Sequence, residues 1–252
     1  MFPIKDNIPG EHFPLVTIAL ILANVVVYVL SIRHGGSLIS GPDNLEVFKY
    51  GAIPKVLTHC LSQNEVIDAS QGAIGCSKTG GTPVWETAFS SMFMHASILH
   101  IGGNMLFLWI FGNNVEDAMG SVKFLAFYIL GGLAALALQI AVSPNSTAPT
   151  LGASGAIAAV LGGYILLYPR ARVLTLVFII LFFTVIELPA LVLLGLWFVE
   201  QAVFGAVHLT DPAGGGGGVA YFAHVGGFVF GLLTIRLLAH RRKPVPPRRP
   251  VL

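Results

Sequence analysis

Apolar stretches long enough to form whole helices alternate with short polar ones along most of this chain. They fall at 13–32, 98–115, 122–142, 154–168, 188–207 and 222–239. A bilayer core is crossed by about 20 apolar residues in helical form, so the pattern predicts six membrane-spanning helices, with 154–168 the shortest. Between them lie a long polar insert at 33–93, an uncharged Ser/Pro/Thr stretch at 143–150, and a loop at 208–221 with a glycine run at 214–218. Such punctuation marks connections rather than elements. No internal repeat is visible.

A further apolar stretch, 173–186, is hydrophobic throughout but ends after about 14 residues at Glu187 and Pro189, too short for a full crossing. It is expected to be interfacial or re-entrant, covered by protein where its backbone leaves regular structure. This choice has a topological consequence. With six crossings, the helices beginning near Ser154 and His224 start on the same face of the membrane, whereas a seventh crossing at 173–186 would separate them.

Composition agrees with the pattern. Of 252 residues, 55% are hydrophobic and 10% charged, and the mean hydropathy is +0.79. A soluble domain is excluded; an all-α polytopic membrane protein with a six-helix bundle is expected. The chain divides into a short N-terminal segment (1–12) without a basic leader, the bundle (13–239) and a basic, Pro-rich tail (240–252).

The net charge of +2 matters less than where the cations lie. Arg170 and Arg172 share one connection, and Arg241, Arg242, Lys243, Arg248 and Arg249 share the tail, whereas the insert dilutes Arg33, Lys49, Lys55 and Lys78 over some sixty residues. The positive-inside rule then places both termini in the cytoplasm and the insert outside, in a plasma membrane expected to be bacterial. The tail is either lipid-facing or simply solvated. Cys60 and Cys76 lie in the insert, where they either form a disulfide or remain two thiols; no neighbouring Cys or His completes a zinc set. Nothing calls for a cofactor, a metal ion or a nucleic-acid partner. Membrane lipid is the expected surrounding, and the pattern gives no oligomeric state.

Polar groups inside spans are costly, so those present are candidates for function. His100 and Asn104, four residues apart, project from one helical face. Ser154 opens a helix between Gly152 and Gly155, where its hydroxyl is accessible and the helix N-terminus favours developing negative charge. Without a glycine two residues after the serine, a strand-to-helix elbow is not implied. His224 opens the last helix, followed by Gly227 and Gly231 at a spacing suited to close helix packing. Taken singly, a span serine bonds to its preceding turn and a histidine packs. Together they supply the nucleophile, base and oxyanion donors of acyl transfer.

These motifs resemble the rhomboid family of intramembrane serine proteases. His100-x-x-x-Asn104, Gly152-x-Ser154-Gly155 and Ala223-His224-x-x-Gly227-x-x-x-Gly231 occur in the family's order on the corresponding helices, and the run from Gly112 to Glu116 and Asp117 resembles its second-span ending. The resemblance extends from about Trp85 to Gly231 and includes the first span. It implies a catalytic dyad of Ser154 and His224 and an oxyanion hole formed by the His100 and Asn104 side chains with the Ser154 backbone N–H. It also implies transmembrane protein substrates entering beside the fifth span, where Trp197 and Phe198 are either gate residues or ordinary packing. The glycine run 214–218 would form a mobile cap.

Two departures stand out. Many members carry a tyrosine four residues after the serine, where its ring supports the histidine; here that residue is Ala158, which leaves open what orients His224. The loop tryptophan, often followed by arginine, is here Trp85 followed by Glu86. The competing reading is a non-catalytic polytopic protein, either a rhomboid-like client-binding protein or a small transporter. The clearest acidic candidate for a transport path is Glu200.

Overall fold

A computed structural model describes residues 1–59, 66–67, 76–77, 83–179, 182–210 and 219–240. Strand β1 (Phe2–Asp6) precedes helix α1 (Leu15–Ser31), and the insert contributes α2 (Asn44–Tyr50), α3 (Pro54–His59), the short strands β2 (Val66–Ile67) and β3 (Cys76–Ser77), and α4 (Thr87–Ser90). Helix α5 (Ile98–Phe107) runs through a wider π turn at Leu108–Gly112 into α6 (Asn113–Met119). Then come α7 (Ser121–Val142), α8 (Ser154–Leu167), the hairpin strands β4 (Arg172–Ile179) and β5 (Phe182–Pro189), α9 (Ala190–Thr210) and α10 (Tyr221–Leu238).

Helices therefore occupy all six apolar stretches, and among the described residues α1, α7, α9 and α10 are long and apolar enough to cross a membrane. The short α8 is the centre of the bundle. Nearly every residue from Gly155 to Leu167 is buried, as expected of a helix that is apolar on all sides. Its neighbours α7 and α10 approach through small residues, which in lipid replaces the hydrophobic drive available in water. A methyl group added to Gly131 of α7 would press on Ala159 of α8, and one added to Gly227 or Gly231 of α10 would overlap the carbonyl oxygens of Gly155 or Ala159.

The expectation of an all-helical protein is corrected by a three-stranded antiparallel sheet in the order β1-β4-β5. The stretch 173–186 is rich in Val, Ile, Thr and Phe, which favour extended backbone, and it folds as a hairpin in which Arg172 pairs with Pro189 and Ile179 with Phe182. Its ends are thus neighbours, and the chain leaves the segment where it entered. Strand β1 adds to β4, so the N-terminal segment is part of the fold. It is tied to the bundle by Asp6, whose Oδ2 accepts hydrogen bonds from Tyr164 Oη at 2.5 Å and Asn114 Nδ2 at 2.7 Å.

The possible Cys60–Cys76 pairing, the glycine run 214–218 and the tail beyond His240 lie outside the described residues.

Candidate active site

Each candidate residue sits where a particular backbone feature delivers it. The loop before α8 is held to the insert by an exchange of hydrogen bonds between Ala52 and Thr150 (2.9 and 2.7 Å) and by Lys55 N donating to Ser146 O at 3.0 Å. Gly152 then turns the chain with φ = +115°, while its N–H donates to Ser91 O at 2.8 Å. Glycine is required there twice over. A side chain would be strained at that φ, and a Cβ would lie 2.7 Å from His100 Nε2. Ala153 N donates to His95 Nε2 at 3.4 Å, and the next residue, Ser154, begins the helix.

Helix α10 brings the histidine from the other side. Ala223 N, which donates to Ala220 O at 3.0 Å, is shared with Gln139 Oε1 on α7 at 3.2 Å, which ties the first turn of α10 to α7. His224 and Gly227 share a helical face, and Gly227 lies against the Gly155 carbonyl, adjacent to Ser154. This glycine contact sets the spacing of the helices at the depth of both side chains. Ser154 Oγ lies 2.7 Å from His224 Nε2.

On α5, Ser97 caps the helix by accepting from His100 N at 3.2 Å. His100 Nδ1 accepts from Ala96 N at 3.4 Å, so its hydrogen is on Nε2, the atom that faces Gly152. Asn104 Nδ2 is buried without a hydrogen-bond partner among the described residues and faces the same glycine. All four candidates, Ser154, His224, His100 and Asn104, thus converge around residues 152–155. A cavity of about 300 Å³ opens there, lined in part by Ser91, Met92, Gly132, Ser154 and His224.

The two fifth-span aromatics divide. Trp197 lies against the imidazole of His224, with ring centroids 5.7 Å apart and planes 36° apart, while Phe198 stacks on Phe228 at 4.5 Å. Glu200 is exposed on α9, outside this cluster. Among the described residues no group of three or more His, Cys, Asp and Glu side chains converges on a point.

Three polar residues that the motif reading passed over also touch the site. Gln201 Oε1 lies 2.7 Å from His224 Nδ1, His95 holds the backbone just before Ser154, and Gln139 ties the first turn of α10 to α7. Gln139 and Gln201 each interrupt a long apolar helix, and that interruption was the available signal. His95, five residues before His100, carries no such signal.

The family follows from the chain as a whole. A family model described as the rhomboid domain matches residues 82–241. This chain belongs to the rhomboid family. Members are generally intramembrane serine proteases that act on membrane-protein substrates. The chain is 33% identical over 150 residues to Rhomboid protein 1, mitochondrial, of Saccharomyces cerevisiae, an alignment covering 57% of this chain and 39% of that protein. It is 30% identical over 164 residues to the human Presenilin-associated rhomboid-like protein, mitochondrial (62% and 39%). It is 31% identical over 158 residues to RHOMBOID-like protein 12, mitochondrial, of Arabidopsis thaliana (56% and 43%). The chain therefore spans about two fifths of the length of these curated relatives. Their names also correct one expectation. Relatives from yeast, human and plant are all mitochondrial, which overturns the placement in a bacterial plasma membrane.

Proposed function

We propose that this rhomboid is an intramembrane serine endopeptidase in which Ser154 is the nucleophile and His224 its general base. The observation that carries the proposal is the 2.7 Å contact between Ser154 Oγ and His224 Nε2, made between two different helices beside a cavity. A span serine engaged only in packing would bond to its own preceding turn.

His224 Nε2 takes the hydroxyl proton as Ser154 Oγ attacks a peptide carbonyl carbon. The resulting oxyanion is met by donors from His100 Nε2 and Asn104 Nδ2 and by the free N–H groups at the start of α8. The protonated His224 then gives its proton to the leaving amine, the C–N bond breaks and an acyl-enzyme remains. Water, activated by the same nitrogen, hydrolyses the ester and releases the new carboxyl terminus. The substrate is a transmembrane segment unwound near its end, because intact helical peptide bonds are shielded by their own hydrogen bonding.

In this reading α5–α6 and α8 cross the membrane together with the four longer helices. The paired ends of the 172–189 hairpin support six crossings. Ser154 and His224 then start their helices on one face and the β-sheet lies at the other.

The test is labelling by a fluorophosphonate probe, together with cleavage of a transmembrane substrate by the protein reconstituted in liposomes. Labelling and cleavage that vanish in Ser154→Ala are expected. Equal labelling of both proteins would refute the nucleophile assignment, and labelling of neither would also favour a client-binding role.

A further inference from the structure

A neutral histidine acts as a base only when the correct nitrogen carries its lone pair. For Nε2 to accept the Ser154 proton, the imidazole hydrogen must be on Nδ1, and which nitrogen holds it is decided by the hydrogen bond made by the other. A buried Nδ1–H also needs an acceptor. At position 158, where many family members carry a supporting tyrosine, this chain has a fully buried alanine packed beside Gly227.

Helix α9 carries the groups that meet these needs. Gln201 is buried, and its Oε1 lies 2.7 Å from His224 Nδ1. Trp197, one turn earlier on the same face, covers the imidazole ring. An amide oxygen only accepts, so this contact places the hydrogen on Nδ1 and turns the Nε2 lone pair toward Ser154 Oγ.

We infer that Gln201 is a positioning residue that fixes the tautomer and plane of His224, a role that rests on the Ser154/His224 reading above. It performs with a neutral amide what a carboxylate does in Ser-His-Asp triads. Both supports of the histidine come from α9, so the packing of α9 against α10 also decides how the base is held.

The experiment compares Gln201→Met with Gln201→Glu in the full chain reconstituted in liposomes. Methionine has similar length and suits an apolar site but offers no comparable acceptor, so kcat should fall by about 10- to 100-fold, part of the 10²–10⁴ attributed to a positioned base, with KM within about twofold. Glutamate keeps an acceptor at the same reach and should retain kcat within about fivefold of the parent, despite burying a carboxylate. A packing role predicts the reverse order, methionine tolerated and glutamate damaging, and that order would overturn the inference.

A second readout does not depend on turnover. In ¹⁵N NMR of labelled histidine, the parent His224 should show the Nδ1–H form, and Gln201→Met should shift it toward Nε2–H; an unchanged tautomer would also overturn the inference. If the parent neither labels nor cleaves, the proposed function fails, while the tautomer comparison still decides the role of Gln201.

Discussion

Glu116 caps the helix that carries Thr17 from 99 residues further along the chain. Its Oε2 accepts from Thr17 N and Thr17 Oγ1, each at 2.8 Å, and its Oε1 accepts from Val16 N at 3.0 Å and Ser121 Oγ at 2.6 Å. Helix α1 has no side-chain cap of its own at Pro14, so the carboxylate satisfies N–H groups that would otherwise be orphaned and meets the positive end of the helix. Glu116→Ala is expected to cost about 2 to 3 kcal/mol, combining a lost cap with hydrogen bonds to a charged group. Thermal unfolding in detergent checks it; an unchanged midpoint would show that α1 is held by packing alone.

The glycines of α10 are not equivalent to other helix glycines, and one pair of variants shows it. A methyl at Gly227 overlaps the Gly155 carbonyl, whereas a methyl at Gly195 on α9 meets nothing within 4 Å. Gly227→Ala should destabilise the bundle by about 1 to 3 kcal/mol and push His224 away from Ser154, abolishing probe labelling. Gly195→Ala should leave labelling intact and gain up to about 1 kcal/mol of helix propensity. Equal behaviour of the two would mean that the α8–α10 contact yields.

Much of this architecture was legible because membrane helices announce themselves by length and hydropathy, and because glycine-bracketed polar residues are conspicuous in apolar runs. The six helices and the four convergent residues came from these signals. The 173–186 hairpin did not. Val173 and Thr175 are buried while Arg172 and Leu174 are half-buried, a strand-like alternation. Both faces are apolar, however, so hydropathy cannot reveal a period of two. Strand β1 depends on that hairpin, and its five residues, with Pro3, Lys5 and Asp6 among them, carry no strand pattern of their own. Gln201 was missed because a helix reports which residues share its face but not which neighbouring helix that face meets, and the partner, His224, is 23 residues away.

Asn104 tests the oxyanion assignment separately from the dyad. Its amide nitrogen is buried without a partner among the described residues, a cost that makes sense if the group is held for a charge that appears only during reaction. Removing one such donor typically lowers kcat by about 10² to 10³, so Asn104→Ala should retain weak activity where Ser154→Ala has none. KM should change little, since the lost contact forms in the transition state. Steady-state cleavage in liposomes measures both constants; a rise in KM alone would reassign Asn104 to substrate binding.

The last prediction turns on Ala158, where the resemblance suggested that something was missing. If a tyrosine at this position were the natural support of the histidine, Ala158→Tyr should improve the enzyme. The packing argues the opposite. Ala158 is fully buried, a Cβ at Gly227 would already lie 3.2 Å from the Ala158 Cβ, and the histidine ring is covered by Trp197. A tyrosine ring has no room between α8 and α10. Overpacking of this kind costs about 1 to 3 kcal/mol or more and would separate the helices that hold Ser154 and His224. The expected outcome is a lower unfolding midpoint and loss of probe labelling. Pairing it with Trp197→Ala, which opens space beside the imidazole, should recover part of the labelling. Enhanced activity in Ala158→Tyr alone would show that support from α9 is dispensable.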